Sequence, residues 1–299
     1  MSIATAITAA QGKVANAYAA VSAKGGTLPA TQNLSNLPTA INSITFGGIP
    51  NYVAPRANIN GLYQPDNTAT EFTLDGATDV YNAGLAYAFY GCTNLVSADL
   101  SSLEQLTHGL ALDNTFYGCT GLTTVDLSAL TLVSGSQALW GCFFGCSELL
   151  TIDISHLQTV SGGNACYYAF YGCTKITSAD LSALETISGA SGCAEMFNRC
   201  TNLATVNLSS LKTITGSSAC SFMFGDCTSL TSLSFPAITT TSFGTRTNQF
   251  REMCNSIPNI TLHFPSNVQS VIEGLDGYST TAPFGAISGT VLFDLPATE

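Results

Sequence analysis

Residues 170–187 read Phe170-Tyr171-Gly172-Cys173-Thr174-Lys175-Ile176-Thr177-Ser178-Ala179-Asp180-Leu181-Ser182-Ala183-Leu184-Glu185-Thr186-Ile187. Variants of this text recur along the chain with a period of 27 residues. Cys92, Cys119, Cys146, Cys173, Cys200 and Cys227 keep the spacing, and Cys254 makes a seventh. Phe89, Phe116, Phe143, Phe170, Phe197 and Phe224 stand three residues before those six cysteines. Leu95, Leu122, Leu149, Ile176, Leu203 and Leu230 stand three residues after them. A unit this short cannot bury its apolar face alone and must stack on copies of itself. The expected fold is an α/β repeat solenoid of about seven 27-residue coils, built from short strands and short helical turns.

Within the unit, the segment from Tyr167 to Tyr171 reads as one or two helical turns, stopped by Gly172. Ile176, Ala179, Leu181, Leu184 and Ile187 should point inward. Ser178 to Ser182 should form a strand and Leu184 to Ile187 a second one, each paired in parallel with the next coil about 4.8 Å away. The seventh coil should be distorted: Cys254 keeps the period, but Phe250 comes one residue early and Pro258 interrupts the strand after it.

Composition supports packing rather than disorder. Charged residues make up 9% of the 299-residue chain and hydrophobic residues 45%, so the sequence is not that of a disordered polyelectrolyte. A net charge of −11 argues against nucleic acid as a partner. No apolar run reaches the roughly 20 residues that span a bilayer, so membrane insertion is not expected. The first 24 residues carry Lys13 in mid-segment and Lys24 at their end, with no basic run ahead of an apolar stretch, and lack the layout of a secretory signal. Most of the eleven cysteines are therefore expected to be reduced, as buried thiols acting as small hydrophobes between coils, although coil spacing alone does not forbid bridges. No C-x-x-C pair occurs and only three histidines are present, so no zinc site is expected. No cofactor motif or P-loop appears.

The pattern A-F-x-x-C-x-x-L-x-x-x-D-L-S-x-L-x-x-I resembles the BspA-like leucine-rich repeat family, in which the strand is followed by Pro. The resemblance covers about 180 residues. Two departures stand out: the unit is longer than usual, and Ser replaces the Pro everywhere except at Pro236. Membership would imply binding or adhesion rather than catalysis.

The N-terminus carries a second resemblance. Ile3, Ile7, Val14, Tyr18 and Val21 lie at helical spacing in an Ala-rich segment that ends at Gly25-Gly26. A G-G-T-L-P step and an N-L-x-x-L-P-x-A-I-x-x-I run follow. This text is similar to the N-termini of tail and minor structural proteins in phages of Gram-positive bacteria. It implies a virion protein, assembled in the host cytoplasm, that contacts other virion proteins through residues 1–48 and stands on the particle as a homo-oligomer. The expected organisation is 1–48 as attachment segment, 49–84 as N-terminal cap, 85–264 as solenoid and 265–299 as C-terminal cap.

The strand face carries the candidate binding residues. Asp99, Asp126, Asp153, Asp180 and Asn207 form one outward ladder. Ser101, Ser128, Ser155 and Ser182 flank it, with a Ser/Thr row on the other side. Carboxylates about 4.8 Å apart repel by roughly 1 kcal/mol even in water. Such a row acts as a solvated face that blocks aggregation, recognises a host cell-surface glycan or protein, or holds calcium; no metal site is assigned. A second row, Tyr90, Tyr117, Phe144 and Tyr171, either packs under loops or stacks on sugars. A uniform ladder offers no pair of carboxyls in opposed environments, as acid/base catalysis requires, so no enzyme is expected. The expected function is a tail-fibre or receptor-binding protein. The alternatives are a bacterial surface adhesin or interaction module, and a virion decoration protein.

Overall fold

The structure is a computed structural model. It describes residues 70–298 except 75, 82 and 246, together with the backbone of an antiparallel pair, β1 (Thr45–Phe46) and β2 (Ile49–Pro50). Ile3, Ile7, Val14, Tyr18 and Val21 lie outside the described residues, as do most positions of the expected N-terminal cap.

From residue 70 onward the chain winds as a β-solenoid of about eight turns, one more than the cysteine count suggests. Each turn contributes a strand to one face: β3 (Glu71–Thr73), β4 (Ser97–Asp99), β6 (Thr124–Asp126), β8 (Thr151–Asp153), β10 (Ser178–Asp180), β12 (Thr205–Asn207), β14 (Ser232–Ser234), β15 (Ile260–Pro265) and β16 (Gly289–Leu295). Pairing is parallel and the register steps by one repeat, as in Ser97↔Thr124 and Thr124↔Thr151. A second row of two-residue strands forms the adjoining side: β5 (Gln105–Leu106), β7 (Leu132–Val133), β9 (Thr159–Val160), β11 (Thr186–Ile187) and β13 (Thr213–Ile214).

The third side is not helical. Between Ser161 and Cys173 the burial alternates two in, two out: Ala165 and Cys166 inside, Tyr167 and Tyr168 outside, Ala169 and Phe170 inside. Every fourth residue sits at positive φ, at Asn164 (52°), Tyr168 (60°) and Gly172 (70°). The amides of Tyr167, Ala169 and Tyr171 bond to carbonyls three residues back. Those of Cys166, Tyr168, Phe170 and Gly172 bond to the next coil, at Gly192, Ala194, Met196 and Asn198. This side is a staircase of tandem turns, so the helical turns expected at 167–171 are absent. The physical reason is competition: a helix would bond those amides internally, whereas the stacked coils offer each a carbonyl on the neighbour. The only α-helix among the described residues is α1 (Gln269–Glu273), beyond the regular coils.

The core is a set of columns. Phe89, Phe116, Phe143, Phe170, Phe197 and Phe224 stack with centroids 5.2–6.1 Å apart and planes within 11° of parallel. Phe116 to Phe224 are fully buried, each side chain worth roughly 1.5–3 kcal/mol of transfer free energy. Ile176, Ala179, Leu181, Leu184 and Ile187 all face inward.

The irregular coil departs from expectation in detail. Phe197 donates its amide to Met223, one residue before Phe224, while Phe224 donates to Met253, one residue before Cys254. Cys254 therefore takes the place of the next Phe and not of the next Cys, because this coil holds three extra residues. Ile257 fills the Cys position. Pro258 does not interrupt a strand; it precedes β15, which runs six residues.

Candidate binding surface

The strand face is built by alternation. Ala98, Val125 and Ala179 turn inward and are buried, while their neighbours on both sides turn out. Asp99, Asp126, Asp153, Asp180 and Asn207 are all exposed; Asp99, Asp126 and Asp153 pair in register, as do Asp180 and Asn207, so the sequence-derived ladder exists as a surface feature. A groove of about 730 Å³ runs along it, lined by Asp99, Asp126, Asp153 and Asp180 with Ser97, Thr124, Thr151 and Ser155.

Each ladder residue also holds a turn. The amides of Ser101, Ser128, Ser155, Ser182 and Ser209 donate to the Oδ1 atoms of Asp99, Asp126, Asp153, Asp180 and Asn207, at 2.9–3.2 Å. The flanking serines contribute their amides, and Ser155 adds its hydroxyl, to Asp153 at 2.8 Å. Hydrogen bonds from Ser101 hold the Asp99 carboxyl below the usual value. Where the residue two past the ladder position is Pro236 or Pro265, no amide needs an acceptor, and the ladder position holds Ser234 or His263 instead. The carboxylate row is thus the counterpart of the missing prolines.

Ser155 lies 3.3 Å from His156 Nδ1, a contact that sequence spacing did not flag. The hydroxyl has one proton and a carboxylate at 2.8 Å to receive it, so the pair is not an activated nucleophile. Among the described residues no group of three or more His, Cys, Asp or Glu could hold a metal ion.

On the turn side, Tyr90, Tyr117, Phe144 and Tyr171 form a half-exposed column, with centroids 4.5–4.7 Å apart and planes within 5°. Their faces are consumed by one another, so they cannot also receive sugar faces; the sugar-stacking reading fails on that geometry. The rings lie beside Trp140, Tyr167 and Tyr168, with Tyr167 donating to Glu195 at 2.9 Å.

The cysteines do more than fill space. Cys119, Cys146, Cys173, Cys200 and Cys227 each direct Sγ to the carbonyl of the Phe one coil back, at 3.0–3.2 Å. All eleven are free and buried. Burial pushes the Cys200, Cys220 and Cys254 thiols up to about 12.

Stacked coils with a parallel strand row, a column of leucines and a turn-built side define a leucine-rich-repeat solenoid. The family model for the BspA type leucine-rich repeat region matches in six copies, over residues 85–189, 113–249 and 166–274, and the chain belongs to that family. Among solved structures, a leucine-rich repeat protein of T. pallidum is 24% identical, over 56% of this chain and 73% of that one, at a TM-score of 0.38. A leucine-rich cell surface protein from Faecalibacterium prausnitzii A2-165 is 15% identical, over 66% and 64%, at 0.32. No curated protein matches the chain.

Proposed function

We propose that this protein is a non-catalytic binding module, an adhesin or interaction module that meets a cell-surface glycan or protein with its strand face. The observation that carries this reading is the groove along β4, β6, β8 and β10, lined by four exposed carboxylates, each of which accepts a turn amide at Oδ1. A row of acceptors at coil spacing, beside rows of Ser and Thr hydroxyls, suits a repeating ligand rich in donors: sugar hydroxyls or the cationic side chains of a protein. Family membership supports interaction over catalysis. The test is a binding screen of the intact protein against cell-surface polysaccharides and surface proteins. Saturable binding to at least one of these classes is expected; binding to neither would overturn the reading.

The resemblance of residues 1–48 to phage tail proteins favours one placement of that module. Here the segment holds other virion proteins, the protein sits on a particle assembled in the host cytoplasm, and the solenoid faces the host. Protein lacking residues 1–48 should then fail to enter particles; normal incorporation would contradict this placement.

A further inference from the structure

We propose that two copies of this chain join through β16, in an antiparallel pairing centred on Leu292. Among the described residues β16 ends its sheet and pairs only with β15. It spans seven residues, against two or three in the regular coils. A strand edge of this length is a template for another strand.

Backbone direction selects the register. The Ile260 amide donates to the Ser288 carbonyl at 3.1 Å, so Ser288, Thr290 and Leu292 turn their backbone groups toward β15, and the residues between them face away. Gly289 is already engaged, with its amide on Thr281 at 2.8 Å. At the other end the strand shifts register, and the Leu295 carbonyl accepts from Ser266 at 3.0 Å. Val291 and Phe293 remain. Both side chains pack against the core, which places both residues in the same phase, so both present N–H and C=O outward.

Only one self-pairing uses all four of these groups on each copy. It sets Val291 opposite Phe293 of the second copy and Phe293 opposite its Val291, each pair exchanging two hydrogen bonds. Leu292, 37% exposed, then meets Leu292 across the two-fold axis, as an isologous contact demands. The charges agree: Asp294 falls opposite Thr290, not opposite another Asp294. The half-buried side chains of Phe293 and Val291, already packed against the core, then lie beside those of the second copy.

Sedimentation equilibrium of the full chain tests this. The wild type should show a two-chain mass at tens of micromolar. Val291→Pro removes an outward N–H while sparing the β15 bonds, a substitution that edge strands tolerate, and should give a one-chain mass. Leu292→Glu sets like charges opposite each other on an exposed position and should do the same without touching the core. A wild type that stays at one chain, as it would if the edge served a different extended peptide, overturns the proposal. So does a two-chain mass that survives both substitutions.

Discussion

At residue scale, the exchange between Asp-x-Ser and x-x-Pro explains why this chain departs from the strand-Pro habit of the family it resembles. A turn amide without an acceptor costs about 1 kcal/mol in a partly solvated site. Asp153→Asn should therefore leave the urea midpoint unchanged, as Asn207 already performs the task. Asp180→Ala should cost about 0.5–1 kcal/mol. In a Ser182→Pro background, where the amide is gone, the same Asp180→Ala change should cost nearly nothing. Equal costs in both backgrounds would show that the carboxylate stabilises by another route. The ladder itself was legible in the sequence because a 27-residue period fixes its register. Its role in the turn was not, since spacing alone does not show which oxygen meets which amide.

At the scale of elements, strands were readable and the third side was not. Ala165, Cys166, Ala169 and Phe170 lie at spacings that a helix also buries, so the two-in, two-out pattern mimics an amphipathic helix. Telling them apart requires the neighbouring coil, whose carbonyls take half of the amides. A glycine column shows how closely the coils approach. A Cβ on Gly162, Gly189 or Gly216 would collide with the carbonyl oxygen of the glycine one coil back. The backbone itself occupies that space and cannot step aside. Gly189→Ala should accordingly destabilise by several kcal/mol, in the range of other overpacked core substitutions. Thermal unfolding followed by circular dichroism would measure it; a shift under 2 °C would mean that the coils can slide apart locally.

At the scale of the whole molecule, solenoid architecture follows from the period because each coil touches only its neighbours. The three-residue insertion before Cys254 escaped notice because that cysteine happens to preserve the count while changing column. The stacked thiols also set a pH limit on the array. A thiol whose pKa rises from 9.0 to about 12 on folding stabilises the native state fully below pH 9 and loses that contribution as the pH climbs toward 12. Several such groups act together, so the denaturation midpoint at pH 10.5 should lie clearly below that at pH 7.5. A flat profile would mean that the cysteines are exposed or oxidised.

The central claim is that recognition belongs to the carboxylate row of the strand face. Substituting Asp126, Asp153 and Asp180 together by Asn keeps all three turns and removes three charges from the groove. Isothermal titration of the wild type and this variant with the ligand found in the screen measures the claim directly. The account predicts an unchanged melting temperature with affinity reduced at least tenfold. Unchanged affinity at equal stability would contradict it and move recognition to another face of the solenoid.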